Sequence, residues 1–251
     1  MKKILMSNTL ILIPARMEAT RLPGKPLLKI NNLSIISNVV NKAKKSKIGK
    51  VVVCTDNEDI FNDVERNGGQ AVLTKKEHET GTDRIFEGFK KLNIRDIDYI
   101  INLQGDEPEI DVKDIIKLND LMIKNNSEIG TLAAKIKDKD KLLNKNLVKV
   151  ITEEKLSDDN FSLALSFTRK LSHENYKNIY HHIGIYAYSI KALQKFIRLN
   201  QSDNEIKQRL EQLRALDNNM QIHVALAKSS PVGVDTWEDY LAIKKNMEYK
   251  S

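Results

Sequence analysis

The fold is decided by residues 10–27, which read LILIPARMEATRLPGKPL. The first four residues, Leu10–Ile13, form a continuous apolar run, which is typical of a strand buried on both faces of a parallel sheet. The run leads into a loop with three prolines, one glycine and three basic residues. Because ligands of open parallel sheets bind at the carboxyl edge of the strands, this loop is the first candidate for a binding site.

The charge and stiffness of this loop suit a polyanion. Free backbone N–H groups would contact phosphate oxygens, and Arg16 and Lys25 would neutralise charge. The prolines restrict the backbone, so the basic groups would be held in place before a ligand arrives. The loop has neither the spacing of a Walker A loop nor that of a dinucleotide-binding loop. A proline-rich surface loop with solvated basic residues stays open as the alternative.

Short apolar runs alternate along the chain with longer amphipathic stretches. The predicted strands are Leu10–Ile13, Lys50–Thr55, Gln70–Leu73, Tyr99–Leu103, Ile129–Ala134, Leu147–Thr152, Ser162–Phe167, Ile183–Tyr188 and Gln221–Ala225. The predicted helices are Leu33–Lys47, Asn57–Asn67, Thr82–Leu92, Val112–Lys124, Ile190–Leu199, Ile206–Leu216 and Thr236–Glu248. We therefore predict an α/β fold with a Rossmann-like mixed sheet, parallel in its first half and extended by antiparallel strands in its second.

The basic composition could indicate nucleic acid, a membrane surface or a small anionic substrate as a partner, but the pattern of the charges favours solvated helix faces. The net charge is 41 − 34 = +7, but the lysines are spread over helical stretches and aromatic residues make up only 6% of the chain. No apolar stretch approaches the ~20 residues that a membrane span needs. The single cysteine, Cys54, lies in an apolar run, is interpreted as a buried hydrophobic residue and fits a reducing compartment.

Acidic residues follow two other segments that could reach the same edge of the sheet. Asp106 follows the predicted strand Tyr99–Leu103, where a Mg²⁺ bound to phosphate would need a carboxylate. Asp235 could supply a second carboxylate. Both have a simpler interpretation: Asp106 belongs to an ordinary Gly-Asp turn, and Asp235 precedes a helix-capping box formed by Thr236 and Asp239.

The segment from Thr80 to Arg84 also has two interpretations. Thr80 or Thr82 could cap the helix that follows. Alternatively, this small and polar turn would let a nucleobase or ribose approach the backbone.

Taken together, these segments resemble the 3-deoxy-manno-octulosonate cytidylyltransferases, also called CMP-Kdo synthetases. The resemblance runs from about Leu10 to the last helix and rests on motifs in the family's order. The motifs are PAR at 14–16, TRLPGKPL at 20–27, TGTDR at 80–84, QGDEP at 104–108, VKV at 148–150, FTR at 167–169, HIGIY at 182–186, LEQLR at 210–214 and GVDT at 233–236.

The resemblance implies a nucleotide-diphospho-sugar transferase fold and a Mg²⁺-dependent enzyme of the cytoplasm, usually a homodimer. Its substrates would be CTP and 3-deoxy-D-manno-octulosonate (Kdo), and its products CMP-Kdo, which feeds lipopolysaccharide synthesis, and pyrophosphate. We expect a single nucleotidyltransferase domain over residues 1–251. Its nucleotide-binding half would span about 9–125 and its acceptor-binding and dimerisation half about 126–251.

The resemblance also implies roles for individual residues. The catalytic residues would be Arg16, Lys25, Asp106 and Asp235, of which Asp106 and Asp235 would bind Mg²⁺. The nucleotide would be bound by Pro14, Ala15, Arg16, Arg21, Lys25, Thr80, Gly81, Arg84 and Gln104. The acceptor sugar would be bound by Arg169, His182, Tyr186, Glu211 and Gln212, although His182 could equally be a core histidine.

Two stretches depart from the family's pattern. Residues 17–19 read MEA where the family more often has an aromatic residue and a serine, and residues 168–173 lack an expected proline after Arg169. The second departure lies on the acceptor side, so a related acidic sugar, such as an amino-Kdo or a sialic-like acid, stays open as the alternative acceptor.

Overall fold

The computed structural model describes residues 8–18, 21–136, 138–171, 177–231 and 233–249. The tail at residues 1–6 and most of the polar stretch 171–178, which we predicted to be a surface loop, lie outside the described residues. The chain forms two compact units, one of residues 1–116 with 231–251 and the other of residues 117–230. The prediction of a single domain whose two halves meet near residue 125 stays a prediction. Residues 231–251, which we assigned to the second half, belong to the first unit.

The strands and helices are numbered in chain order. The strands are β1 (Thr9–Ala15), β2 (Lys29–Ile30), β3 (Leu33–Ser34), β4 (Gly49–Thr55), β5 (Ala71–Leu73), β6 (Tyr99–Asn102), β7 (Ile129–Lys135), β8 (Lys149–Thr152), β9 (Ser162–Thr168), β10 (Ile179–Ser189) and β11 (Ile222–Leu226). The α-helices are α1 (Ile35–Lys45), α2 (Glu58–Arg66), α3 (Gly81–Leu92), α4 (Val112–Asn125), α5 (Lys139–Leu143), α6 (Ile190–Phe196), α7 (Asp203–Gln208), α8 (Leu213–Asp217) and α9 (Trp237–Tyr249). No helix of the described residues is long and apolar enough to cross a membrane.

The first unit is built on a parallel sheet. Strands β5, β4, β1 and β6 lie side by side in this order, and each pairing is parallel. Leu10–Ile13 of β1 are fully buried, as expected for a central strand with both faces covered. The prediction of a buried parallel strand in this stretch is confirmed.

The second unit contains the mixed part of the fold. β10 pairs antiparallel with β7 and β8, β9 pairs antiparallel with β8 and β11, and β11 pairs parallel with β7. These pairings form a closed circuit of five strands. They confirm the predicted mixed extension of the fold.

Side-chain caps fix the start of several helices around the first sheet. Ser34 accepts a hydrogen bond from the N–H of Ser37 at α1, and Asn57 accepts from two N–H groups at α2. Thr80 caps α3 by accepting from the N–H of Asp83. Each cap satisfies N–H groups that the helix itself leaves unpaired, so short polar residues in the sequence set where the helices begin.

Two predicted helices need correction, and two parts of the structure were not predicted. The predicted helix Leu33–Lys47 is wrong at its start, because Leu33 belongs to the β2–β3 hairpin, whose turn residues Asn31 and Asn32 adopt positive φ. The predicted helix Ile206–Leu216 is wrong, because Arg209 has a φ of 54° and ends α7 there. The short helix α5 was missed, as was the first part of β10 before Ile183.

Candidate functional site

A cavity of about 390 Å³ lies within the first unit, at the carboxyl ends of its strands. This volume lies within the roughly 300–1,000 Å³ common for small-molecule sites. The structure brings together there all the residues predicted for the nucleotide and the metal. They are Pro14, Ala15, Arg16, Arg21, Lys25, Thr80, Gly81, Arg84, Gln104, Asp106 and Asp235.

A lysine lies between the two predicted metal carboxylates. The Nζ of Lys25 is 2.6 Å from Oδ2 of Asp106 and 3.4 Å from Oδ1 of Asp235. The other oxygen of Asp235 is 3.0 Å from Nη2 of Arg21. The Lys25 side chain is only 13% exposed, whereas that of Asp235 is 49% exposed. The two acids, 129 positions apart in sequence (235 − 106), therefore converge on one cationic group.

Backbone contacts hold this cluster together. Gly24 has a φ of 73°, a conformation that glycine adopts without strain, and it precedes the short 3₁₀-helix that carries Lys25. The N–H of Val234 donates to the carbonyl of Asp106 over 2.9 Å, which ties the segment of Asp235 to the turn after β6.

The capping box before α9 is formed, and Asp235 is separate from it. The N–H of Asp239 donates to Oγ1 of Thr236 over 3.2 Å, and the N–H of Thr236 donates back to Oδ2 of Asp239 over 2.9 Å. Asp235 contributes its own N–H to Asp239, while its carboxylate points to the cations. Capping and cation binding are thus carried by different residues.

Thr80 caps α3, which confirms the first interpretation of this segment, and it also lines the cavity. The approach of a nucleobase or ribose to this turn stays a prediction. The next residue, Gly81, is needed for close packing. A Cβ at Gly81 would lie 3.2 Å from Cγ of Pro14, so a larger residue would push the start of α3 away from the end of β1.

Arg84 lines the cavity, but its guanidinium is held by the first unit itself. It donates to Oδ2 of Asp56 over 2.9 Å, to Oγ1 of Thr74 over 2.7 Å and to the carbonyl of Lys75 over 3.1 Å. The Arg84 side chain is 4% exposed. Arg84 therefore fixes the loop between β5 and α3 to the helix behind it.

The sequence analysis missed three charged or titratable residues of this cavity, namely Glu18, His78 and Glu79. His78 contacts Glu87 through Nε2, and Glu87 also accepts from the N–H of Lys75 and pairs with Lys91. Burial raises the pKa of Glu87, but hydrogen bonds from Lys91, His78 and Lys75 outweigh it and lower the pKa from 4.5 to about 2. The spacing of Arg84 and Glu87 places both on one face of α3, but it does not show which residues of the preceding loop they contact.

Gln104 is joined to α3 through a chain of polar side chains. Its Nε2 lies 3.4 Å from Oδ1 of Asn102, whose Nδ2 donates to Oγ1 of Thr82 over 3.2 Å. Asn102 and Thr82 are buried, so this chain fixes the turn after β6 relative to the start of α3.

The residues present fit a Mg²⁺ ion. Asp106 and Asp235 already converge on a common cationic partner, the ammonium of Lys25. Mg²⁺ binds through one or two carboxylates and takes its other ligands from phosphate and water. The described part of the chain contains no group of three or more His, Cys, Asp or Glu side chains that could hold a metal ion. Mg²⁺ does not require such a group, because phosphate and water supply its other ligands.

The predicted acceptor residues all lie in the second unit, and several are buried. His182, on β10, is 8% exposed, packs edge-on against Phe167 and lies 3.1 Å from Oγ1 of Thr131. Burial, with a smaller effect of His181, lowers the pKa of His182 from 6.5 to about 3. Tyr186 is 9% exposed, and burial raises its pKa well above 10.0. A neutral imidazole and a neutral phenol thus lie side by side, with ring centroids 5.4 Å apart.

Two of the remaining acceptor residues, Glu211 and Gln212, follow a helix that is held by a buried ion pair. Arg214 donates to both carboxylate oxygens of Glu205, over 2.8 and 2.6 Å, and joins α8 to α7. Glu211 and Gln212 lie in the turn between these helices. Arg169 follows β9 and donates to the carbonyl of Asn146 over 3.3 Å.

Several known proteins are similar to this chain in sequence. The profile of the Cytidylyltransferase family matches residues 10–222. The 3-deoxy-manno-octulosonate cytidylyltransferase of Nitrobacter winogradskyi is 43% identical over 234 residues, which cover 93% of this chain and 91% of that protein. The enzyme of the same name from Afipia carboxidovorans is 44% identical over 239 residues, covering 95% and 96%.

Solved structures extend the comparison to the fold. A CMP:2-keto-3-deoxy-manno-octonic acid synthetase complexed with CTP has a TM-score of 0.88 at 32% identity, covering 98% of this chain and all of that one. An apo UDP-glucose pyrophosphorylase, at 14% identity, has a TM-score of 0.72 and shares the fold alone. The predicted nucleotide-diphospho-sugar transferase fold is confirmed. The cavity residues, the mixed sheet and these matches together place the chain in the 3-deoxy-manno-octulosonate cytidylyltransferase family.

Proposed function

We propose that the chain transfers CMP from CTP to the anomeric hydroxyl of Kdo, with Mg²⁺ as cofactor, giving CMP-Kdo and pyrophosphate. The named activity of relatives at 43–44% identity supports the substrates. The neighbour at 32% identity, described with CTP, supports the nucleotide.

The charge balance of the cavity is the observation that carries the proposal. Its basic residues are Arg16, Arg21, Lys25 and Arg84, and its acidic residues are Glu18, Glu79, Asp106 and Asp235. The formal charges of these eight side chains sum to +4 − 4 = 0. CTP brings about four negative charges, so this cavity needs a divalent cation to bind it well. Two acids that share one cation supply the place for that ion.

Binding of the nucleotide would rearrange the Lys25 cluster. A phosphate oxygen and a carboxylate are both acceptors for the Lys25 ammonium, which has three N–H donors. Lys25 and Arg16 would hold the triphosphate, while Asp106 and Asp235 would hold the metal. Mg²⁺, when bound, would neutralise phosphate charge and lower the pKa of the attacking hydroxyl.

The reaction requires placement more than covalent catalysis. The anomeric oxygen forms a bond to the α-phosphorus, the bond between that phosphorus and the β-phosphate bridging oxygen breaks, and the hydroxyl proton leaves to solvent. Pyrophosphate departs with the bonding electrons. Fixed cations at the triphosphate stabilise this charge as it develops, and no Cys, Ser or His nucleophile is needed.

We propose the acceptor site in the second unit at Arg169, His182, Tyr186, Glu211 and Gln212. Arg169 offers a cation for the sugar's carboxylate, and Glu211 and Gln212 offer acceptors and donors for its hydroxyls. A related sugar, such as an amino-Kdo or a sialic-like acid, is the second candidate acceptor, because the stretch after Arg169 departs from the family's pattern. We also propose a cytoplasmic homodimer that serves lipopolysaccharide synthesis, since the acceptor belongs to that polymer.

A pyrophosphate-release assay tests the proposal. We expect release with CTP, Mg²⁺ and Kdo, much slower release with ATP, GTP or UTP, and none after chelation of Mg²⁺. Equal rates with all four nucleotides would refute the cytidylyl assignment. Faster pyrophosphate release with an amino-Kdo or a sialic acid than with Kdo would show that this sugar is the acceptor, and the proposal of CMP transfer from CTP would still hold.

A further inference from the structure

Lys149 is a fully buried lysine of the second unit, and no carboxylate in the described ranges forms an ion pair with it. It lies on β8 and is 0% exposed. Its Nζ donates to the main-chain carbonyl of Arg169 over 3.1 Å and to that of Asn144. Within the described residues it forms no ion pair with an acid. Burying an ammonium without a counter-ion is unfavourable, so its presence calls for a reason beyond packing.

The groups around Lys149 are also basic. Burial and the charge of Arg169 lower the pKa of Lys149. Burial, then Lys141 and Lys149, lower the pKa of His181, whose Nδ1 lies 2.7 Å from Oγ of Ser230. Lys141, Lys149 and Arg169 therefore make one positive region, for which none of the acids in the described residues is a partner.

The hydrogen bonds show where this positive region acts. Lys149 holds the carbonyl of Arg169, and the Arg169 guanidinium donates to the carbonyl of Asn146. The main chain of Arg169 is thus attached to the first residue of β8, and its side chain to the segment before β8. Because the Lys149 ammonium is buried, it can act on a ligand only through its field and through the position it gives Arg169.

We propose that Lys149 is a positioning residue for the acceptor, which fixes Arg169 and supplies an unbalanced positive field for the carboxylate of the acidic sugar. This inference rests on the proposed function, in which Arg169 contacts that carboxylate. A ligand carboxylate would provide the missing counter-ion of the buried ammonium. The sugar's acidic group, rather than its hydroxyls, would then account for most of the effect of Lys149.

The test compares Lys149→Met with Lys145→Met in steady-state kinetics. Methionine matches the lysine stem but removes the charge and the donors, and the exposed Lys145 is a control for charge loss in the same segment. We expect the KM for Kdo to rise about tenfold or more in Lys149→Met, as for a lost contact to a charged group. The KM for CTP should stay unchanged, and Lys149→Arg should recover most of the loss. Equal KM changes for both substrates, or an effect no larger than that of Lys145→Met, would overturn the proposal.

A second comparison tests the role of the carboxylate. The methyl ester of the acceptor should lower kcat/KM strongly in the wild type and much less in Lys149→Met, because the variant lacks the field that favours the acid. If the losses in kcat/KM caused by the ester and by Lys149→Met simply multiply, the proposed effect of the Lys149 charge on the carboxylate is refuted. If Lys149→Met does not fold, the NMR signal of the wild-type Lys149 ammonium decides: it should shift with Kdo and not with its ester. A wild type inactive with every acidic sugar would instead refute the proposed function itself.

Discussion

Among single residues, Lys25 makes the most contacts with the predicted metal site. Its ammonium lies within 3.4 Å of both acids of that site. Lys25→Ala should lower turnover by about 10²–10³, as for the loss of one fixed electrostatic donor, while the melting temperature stays near that of the wild type. Lys29→Ala, at an exposed position nearby, is the matched control. Turnover equal to that of the control would show that Lys25 has no part in phosphate transfer.

Asp235 and Thr236 are neighbours with separable effects. Asp235→Asn keeps the shape but removes an anionic ligand, so activity should fall sharply and the Mg²⁺ requirement should rise, with stability nearly unchanged. Thr236→Val removes the cap of α9 and should cost about 0.5–2 kcal/mol of stability without changing the Mg²⁺ dependence. Measuring Mg²⁺ titrations and unfolding on both variants distinguishes the roles. A normal Mg²⁺ titration of Asp235→Asn would exclude Asp235 as a ligand.

The site residues were predictable to the extent that they follow strands within short motifs. Residues such as Gln104 and Asp106 follow a buried strand, and the edge of a parallel sheet brings such residues together. The sequence could not show that Lys25 lies between Asp106 and Asp235, because that contact depends on the three-dimensional path of two distant loops. His78 was missed because its partner Glu87 lies on the helix behind it.

Among the elements, α3 organises the cavity. Its residues Arg84 and Glu87 hold the loop before the helix through Thr74, Lys75 and His78. The helix start was predictable from Thr80, whose cap is a local property of the sequence. The path of the loop was not, because it depends on side chains of the same helix contacting residues nine to twelve positions earlier.

Glu87 gives α3 a distinctive dependence on pH. Its pKa in the folded state, about 2, lies below the ordinary 4.5, so its stabilising effect is complete above pH 4.5 and is lost as the pH falls towards 2. Glu87→Gln should therefore be less stable than the wild type at neutral pH, and the difference should shrink between pH 4.5 and 2. Chemical unfolding across this range measures it, with the exposed Glu77→Gln as control. A difference independent of pH would contradict the charge of Glu87 as the cause.

The mispredicted elements have two different physical reasons. The predicted helix Ile206–Leu216 has apolar residues at helical spacing, but Arg209 adopts a left-handed conformation that sequence patterns assign mainly to glycine and asparagine. Each strand of the β2–β3 hairpin has only two residues, which is too short to give a periodic pattern in the sequence. Longer strands, such as β1 and β4, were predicted because each contains several consecutive apolar residues that are buried.

At the scale of the whole molecule, the C-terminal segment packs into the hydrophobic core of the first unit. Leu22, Ile30 and Ile35 pack in one buried cluster with Val234, Tyr240 and Ile243. The hydroxyl of Tyr240 also donates to the carbonyl of Lys29 over 2.8 Å. The segment after residue 231 is therefore part of the first unit's core.

Ile243→Ala should test this closure. Removing a buried isoleucine side chain typically costs about 2–5 kcal/mol, whereas Lys245→Ala, on an exposed position of the same helix, should cost little. Denaturant unfolding gives both values. A loss below about 0.5 kcal/mol in Ile243→Ala would mean that α9 adds nothing to the first unit's stability.

The ion pair between Lys25 and Asp235 joins residues 210 positions apart, and this separation has a consequence for protein synthesis. During translation the ribosome delivers the basic loop first and the second acid of the pair only after the whole second unit has been made. A nascent chain can fold β1 and β4 early, yet it cannot bring together the two acids of the proposed metal site. If the proposed metal site is correct, messages cut short before the codon for Asp235 would therefore yield polypeptides that capture nucleotide poorly and transfer none of it.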